Sequence, residues 1–157
     1  MELANIIQSL IALGTLGSLV FIGIQFWKNT KTTKALAYQN MINAIAQFES
    51  IIIQNKEVAE IYNKAQLGQD MNDIEEVRFN ELCSTWFNYF ENFHAQVENK
   101  MIKEDVWIGW KTNLVNSVYK NIKMKAWWND KQALYNKSFK KMVNDELLKM
   151  ENKKANT

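Results

Sequence analysis

Between Glu2 and Lys28 lie 25 consecutive residues without a charge, LANIIQSLIALGTLGSLVFIGIQFW. Coiled as a helix, such a stretch is about 37 Å long at 1.5 Å per residue. A bilayer core requires roughly 20 mostly apolar residues. We therefore expect a transmembrane helix over residues 6–27, with Trp27 at the interface, where amphipathic aromatics collect. A cleaved signal peptide fits poorly. No cation precedes the run, and no small-residue cleavage site follows it before Gln25, Phe26, Trp27 and Lys28. A buried core helix is the stronger rival, because Gln8, Ser9, Thr15, Ser18 and Gln25 dilute the apolarity.

The flanks set an orientation. Lys28, Lys31 and Lys34 follow the run, while the N-terminal side carries only Glu2. The positive-inside rule then predicts a single-pass protein of a bacterial inner membrane, N-terminus outside and C-terminal domain cytoplasmic. The lone Cys83 suits a reducing compartment. The expected organisation is a tail and transmembrane helix over 1–28, a helical domain over 29–150, and a mobile polar tail over 151–157.

Within the run, Gln8, Gly14, Thr15, Ser18 and Gln25 fall inside an arc of about 120° at 100° per residue. Gly14 and Ser18 form a small-x-x-x-small pair, which allows close helix approach. We expect this stripe to face protein, in a homo-oligomer or a membrane complex. A homo-oligomeric channel lined by the stripe is the alternative; the stripe carries no charge.

The remainder reads as all-α. Proline is absent and only 5 glycines occur, which argues against a turn-rich β fold. Tyr38, Met41, Ile45, Phe48 and Ile52 recur at helical spacing. They imply that the membrane helix continues to about Asn55. A helix follows over 56–67, with Gly68 as its C-cap. Asn72 and Glu75 make a capping box opening a helix to about Glu98, whose Phe79, Leu82, Trp86, Phe90, Phe93 and Val97 share a face. A turn near Asn99 and Lys100, then helices over 103–120, 123–134 and 138–150, complete a bundle of about five helices.

The net charge of +2 conceals a segregation. Residues 35–99 carry three cations and ten acids; residues 100–157 carry thirteen lysines and six acids. The halves, at −7 and +7, could attract one another, and basic residues near a membrane would favour anionic lipid. The mean hydropathy of −0.33 likewise averages an uncharged run with a charged remainder.

Motifs of chemistry are sparse. Glu91 and His94 have the Glu-x-x-His spacing used in di-iron bundles, with Glu98 one turn on. His94 is the only histidine, so one chain cannot supply the second such pair, and no metal or cofactor is expected. The alternative function is a small-ligand or metal-binding helical domain around Glu91, Asn92 and His94. Trp107 and Trp110, with Trp86, Trp127 and Trp128, could line an aromatic cage for a quaternary ammonium group. Core packing is the better reading, because Trp86, Trp107 and Trp110 each follow a helical apolar stripe. Adjacent Trp127 and Trp128 point about 100° apart on a helix, so one core should not easily cover both. No nucleophile elbow, phosphate loop or nucleic-acid module is present. The expectation is a non-enzymatic protein that does not bind nucleic acid.

The chain resembles a broad group of small bacterial membrane proteins with one N-terminal span and an aromatic-rich helical domain. The shared marks are the span ending Ser18 to Gln25, Asn29-Thr30, the Gln39 region, Phe90-Glu91-Asn92, Val106-Trp107-x-x-Trp110, Ala126-Trp127-Trp128 and Phe139. They cover roughly residues 8–145. The chain departs at His94, where an aromatic is expected, and near 121–124, where proline or glycine is expected. The resemblance transfers no activity. It implies the same topology and a shared role for Glu91, Asn92 and Trp128.

Overall fold

The computed structural model describes residues 2–155 and is all-α. Six helices occur among the described residues: α1 (Glu2–Gln54), α2 (Lys56–Leu67), α3 (Asp73–Glu98), α4 (Glu104–Lys120), α5 (Ile122–Lys131) and α6 (Lys137–Ala155). A short 3₁₀ turn, Gln132–Leu134, follows α5. The chain divides into two compact units, one ending at Ala37 and one beginning at Tyr38, so the division falls within α1 rather than at Lys28.

In the first unit α1 is exposed on every side through residue 36. Its most apolar 18-residue window has a mean hydropathy of 1.9, with 0% of it buried. It is the one helix among the described residues long and apolar enough to cross a membrane. Nothing in the sequence interrupts it, since proline is absent and glycine costs only about 1 kcal/mol in a helix interior.

The second unit is a helical bundle with its own core. Each helix boundary has a local cause. Asn55 ends α1 and caps α2, its side chain accepting from the Val58 N–H at 3.3 Å. Gly68 closes α2 at φ +69°, in the left-handed region that glycine enters without strain. The capping box is formed: Asn72 Oδ1 accepts from the Glu75 N–H, and Glu75 Oε2 from the Asn72 N–H, both at 3.0 Å. Lys64 Nζ also bonds Glu75 at 2.7 Å, tying α2 to α3. That bond first, then the Asn72 N–H, holds the Glu75 carboxyl below its ordinary range.

Helix α3 is the centre of the bundle and packs against α2, α4, α5 and α6. Phe79, Cys83, Trp86, Phe90 and Phe93 follow the 3.6-residue period. Phe87 and His94 widen the buried face, so α3 is covered on several sides. The C-terminal part of α1 adds Met41, Ile45 and Phe48 to this core, with the Phe48 ring 4.8 Å from Trp86.

Two expectations change. Helix α6 runs to Ala155, five residues past the Met150 end read from the sequence; residues 156 and 157 of the expected tail lie outside those described. Lys125 pairs with Glu151 at 2.5 Å, so the polar segment has a partner on α5. Trp127 and Trp128 are both buried. Phe87 stacks on each, at 5.3 Å and 4.6 Å between centroids. Tyr135, just beyond the 3₁₀ turn, folds back against both at 6.4 Å and 5.4 Å. The turn supplies the second wall that a single helix face lacks.

Candidate functional site

The stripe residues Gln8, Gly14, Thr15, Ser18 and Gln25 all lie on the exposed part of α1. The hydroxyls find partners in their own helix: Thr15 Oγ1 donates to the Ile11 carbonyl and Ser18 Oγ to the Gly14 carbonyl, each at 2.9 Å. Back-bonding of this kind satisfies a hydroxyl without a neighbouring helix. The exposed amides of Gln8 and Gln25 have no hydrogen-bond partner among the described residues. A Cβ added at Gly14, Gly17 or Gly23 would meet no heavy atom within 4 Å. No contact within the chain calls for these glycines.

In the bundle, Glu91, Asn92 and His94 share one stretch of α3 but face different neighbours. Glu91 Oε1 accepts from the Asn136 N–H at 2.7 Å. Asn136 Oδ1 in turn accepts from the Phe139 N–H at 2.8 Å, capping α6. Glu91 therefore anchors the start of α6 to α3. Glu98 performs a similar task two turns later, accepting from Ser138 Oγ. Asn92 Oδ1 accepts from Gln96 Nε2 at 2.8 Å, an exposed pair within α3.

His94 is 8% exposed. Its ring lies 5.7 Å from Trp107 and 5.9 Å from Phe139. Its Nδ1 stands 3.8 Å from Glu98 Oε2 and has no hydrogen-bond partner. No group of three or more His, Cys, Asp or Glu side chains able to hold a metal ion occurs among the described residues.

The tryptophans divide between two aromatic clusters. Trp107 lies 5.1 Å from Phe93 and Trp110 lies 6.1 Å from Phe93, while Trp127 and Trp128 sit on Phe87. Trp128 Nε1 donates to Asn144 Oδ1 at 2.8 Å, and Asn144 Nδ2 donates to Gln132 Oε1 at 2.7 Å. This polar chain ties α5, the 3₁₀ turn and α6 together. Of the three residues marked by the resemblance, Glu91 and Trp128 bond to the start and the middle of α6, whereas Asn92 bonds only within α3.

The Cys83 thiol and the Tyr135 hydroxyl are held neutral. Burial pushes the Cys83 thiol far above its ordinary value, which makes it a poor nucleophile. Burial, with the nearby Glu91 carboxylate, raises Tyr135 to about 12. The Lys123–Glu76 ion pair, at 2.7 Å, joins the acidic half to the basic half. Lys64–Glu75, Arg78–Glu57, Lys111–Glu146 and Lys125–Glu151 each close within one half.

Two buried indole donors, Trp86 Nε1 and Trp127 Nε1, have no partner among the described residues, and sequence reasoning gave neither a hydrogen-bonding role; the Asn121 side chain bonds the Tyr62 hydroxyl. An unsatisfied buried donor costs about 1–3 kcal/mol. Asn121 was legible only as a turn residue between helices.

Comparison with known proteins identifies no family: no family model, no curated protein and no solved structure matches the chain.

Proposed function

We propose that the chain is a non-enzymatic single-span protein of a bacterial inner membrane. Residues 6–27 of α1 are its anchor, and it self-associates or serves as an accessory subunit of a membrane complex. The observation that carries this reading is the apolar α1 segment, exposed all round with 0% of its most apolar window buried. An uncharged helix that is apolar on all but one stripe needs an apolar surrounding. The rival core helix would be covered. Lys28, Lys31 and Lys34 at its end favour an N-terminus outside and a cytoplasmic bundle. The buried, unpaired Cys83 is compatible with that side.

Association through the stripe is supported by Gly14, whose missing Cβ serves no contact within the chain, and by the unpartnered amides of Gln8 and Gln25. Light scattering in mild detergent tests it. The wild-type protein is expected above the monomer mass. Gly14→Leu should weaken association about tenfold, as a loss near 1–2 kcal/mol at a packed membrane-helix interface implies. A monomer in both would remove the self-association form of the proposal.

A further inference from the structure

The lysines that follow the apolar run occupy one side of α1. Trp27, Lys28, Lys31 and Lys34 fall within an arc of about 120° at 100° per residue. The three cations are spread over about 9 Å of helix axis. All four side chains are exposed. Lys31 Nζ lies 5.7 Å from the centroid of the Trp27 ring, so the indole and an ammonium group stand side by side. The chain has no acidic residue from Leu3 to Phe48, so no carboxylate on this length of α1 neutralises the three charges.

This basic face and the polar stripe lie on opposite sides of the helix. α1 is continuous from Glu2 to Gln54, and the residues up to Ala37 form one unit, so a single helical phase relates Gln8 to Lys34. The centre of the arc of Trp27, Lys28, Lys31 and Lys34 is about 160° from the centre of the arc of Gln8, Gly14, Thr15, Ser18 and Gln25. The side away from the lysines is neutral. There Thr30 Oγ1 donates to the Phe26 carbonyl and Thr33 Oγ1 to the Asn29 carbonyl, each at 2.9 Å. When two such helices pack through the stripe, the lysines turn away from the partner and toward the surrounding lipid. That arrangement also keeps the like charges of neighbouring helices apart.

We propose that this face is a headgroup site for anionic phospholipid. The Trp27 indole sits at the bilayer interface. The Lys28, Lys31 and Lys34 ammonium groups donate to phosphate oxygens of the lipids alongside, their alkyl stems lying along the helix. The occupant is a phosphate within a bilayer rather than a free one, because an open helix side gives a phosphate no enclosing wall of its own. The inference rests on the membrane-spanning reading of residues 6–27 and adds the lipid that borders the span, leaving the stripe for a protein partner.

Fluorescence quenching by brominated lipid provides the test. The full-length protein is placed in phosphatidylcholine nanodiscs that carry a minor share of brominated phosphatidylglycerol or, separately, of brominated phosphatidylcholine. Trp27 emission is the part of the signal lost on Trp27→Phe in each background. At equal bromolipid content, phosphatidylglycerol should quench Trp27 more than phosphatidylcholine does. A lysine near an anionic surface contributes about fivefold in affinity, so Lys31→Gln with Lys34→Gln should lower this preference by at least that factor. Lys31→Arg with Lys34→Arg should keep it. Brominated phosphatidylcholine should quench the glutamine variant as it does the wild type, since the depth of the span is unchanged. Equal quenching by the two lipids in the wild-type protein, or a preference that survives the glutamine substitutions, would overturn the headgroup site and leave the span standing. Quenching by neither lipid would overturn the span, and the site with it.

Discussion

Phe87→Ala is expected to destabilise the bundle by about 3–5 kcal/mol, the range for removing a fully buried phenylalanine from a packed core. Phe87 is 0% exposed and touches Trp127, Trp128 and Tyr135 with its ring. Those three come from α5 and the segment after the 3₁₀ turn. Its removal would empty one of the two walls, with Tyr135, between which two adjacent tryptophans are buried. A domain with a net stability near 5–15 kcal/mol would lose a large part of it. Trp110→Ala, at a half-buried ring in contact with Phe93, should cost clearly less. Chemical denaturation of the detergent-held protein, followed by near-ultraviolet circular dichroism, measures both. A Phe87→Ala loss below about 1 kcal/mol would contradict the assigned core, since burial of a single methylene is already worth about 0.8 kcal/mol.

The second large effect concerns α1. Leu16 stands midway between Ile6 and Trp27 and is exposed. Leu16→Lys should raise the cost of membrane insertion by about 3 kcal/mol, the scale for a lysine at the helix centre. Leu13→Lys together with Leu16→Lys should release much of the protein from the membrane fraction into the supernatant of an alkaline wash. The same substitutions in a water-exposed helix would change nothing in that fractionation, or would raise solubility without loss from any membrane. The distinction is sharp because neither side chain has a packing role within the chain that its loss could disturb.

Local signals account for what could be read in advance. The capping box at Asn72 and Glu75, the C-cap at Gly68 and the apolar period of α3 are written in neighbouring residues. Their structural outcome follows directly from hydrogen-bond geometry and helix pitch. The end of α6 was less legible. Glu151, Lys153 and Lys154 have good helix propensity but no apolar period, and the Lys125–Glu151 pair is a contact across 26 residues. The burial of both Trp127 and Trp128 depends on Tyr135 returning beyond a 3₁₀ turn, and such a turn leaves no periodic trace. The Trp86 and Asn121 donors were hidden for another reason. An indole on an apolar stripe and an asparagine at a helix junction each have an ordinary role, and only the packing around them shows that their N–H groups are buried. Glu91 and Trp128, singled out by resemblance, prove to hold α6 against the bundle through Asn136 and Asn144.

The central claim is that residues 6–27 cross a membrane with the bundle on the cytoplasmic side. Cysteine labelling in intact bacterial cells tests it most directly. In a Cys83→Ser background, Glu2→Cys and Lys31→Cys place one thiol at each end of the proposed span. The account predicts that a membrane-impermeant maleimide labels the Glu2→Cys protein in intact cells and the Lys31→Cys protein only after permeabilisation. Labelling of both, or of neither, before permeabilisation would contradict a single crossing, and the reverse pattern would contradict its direction.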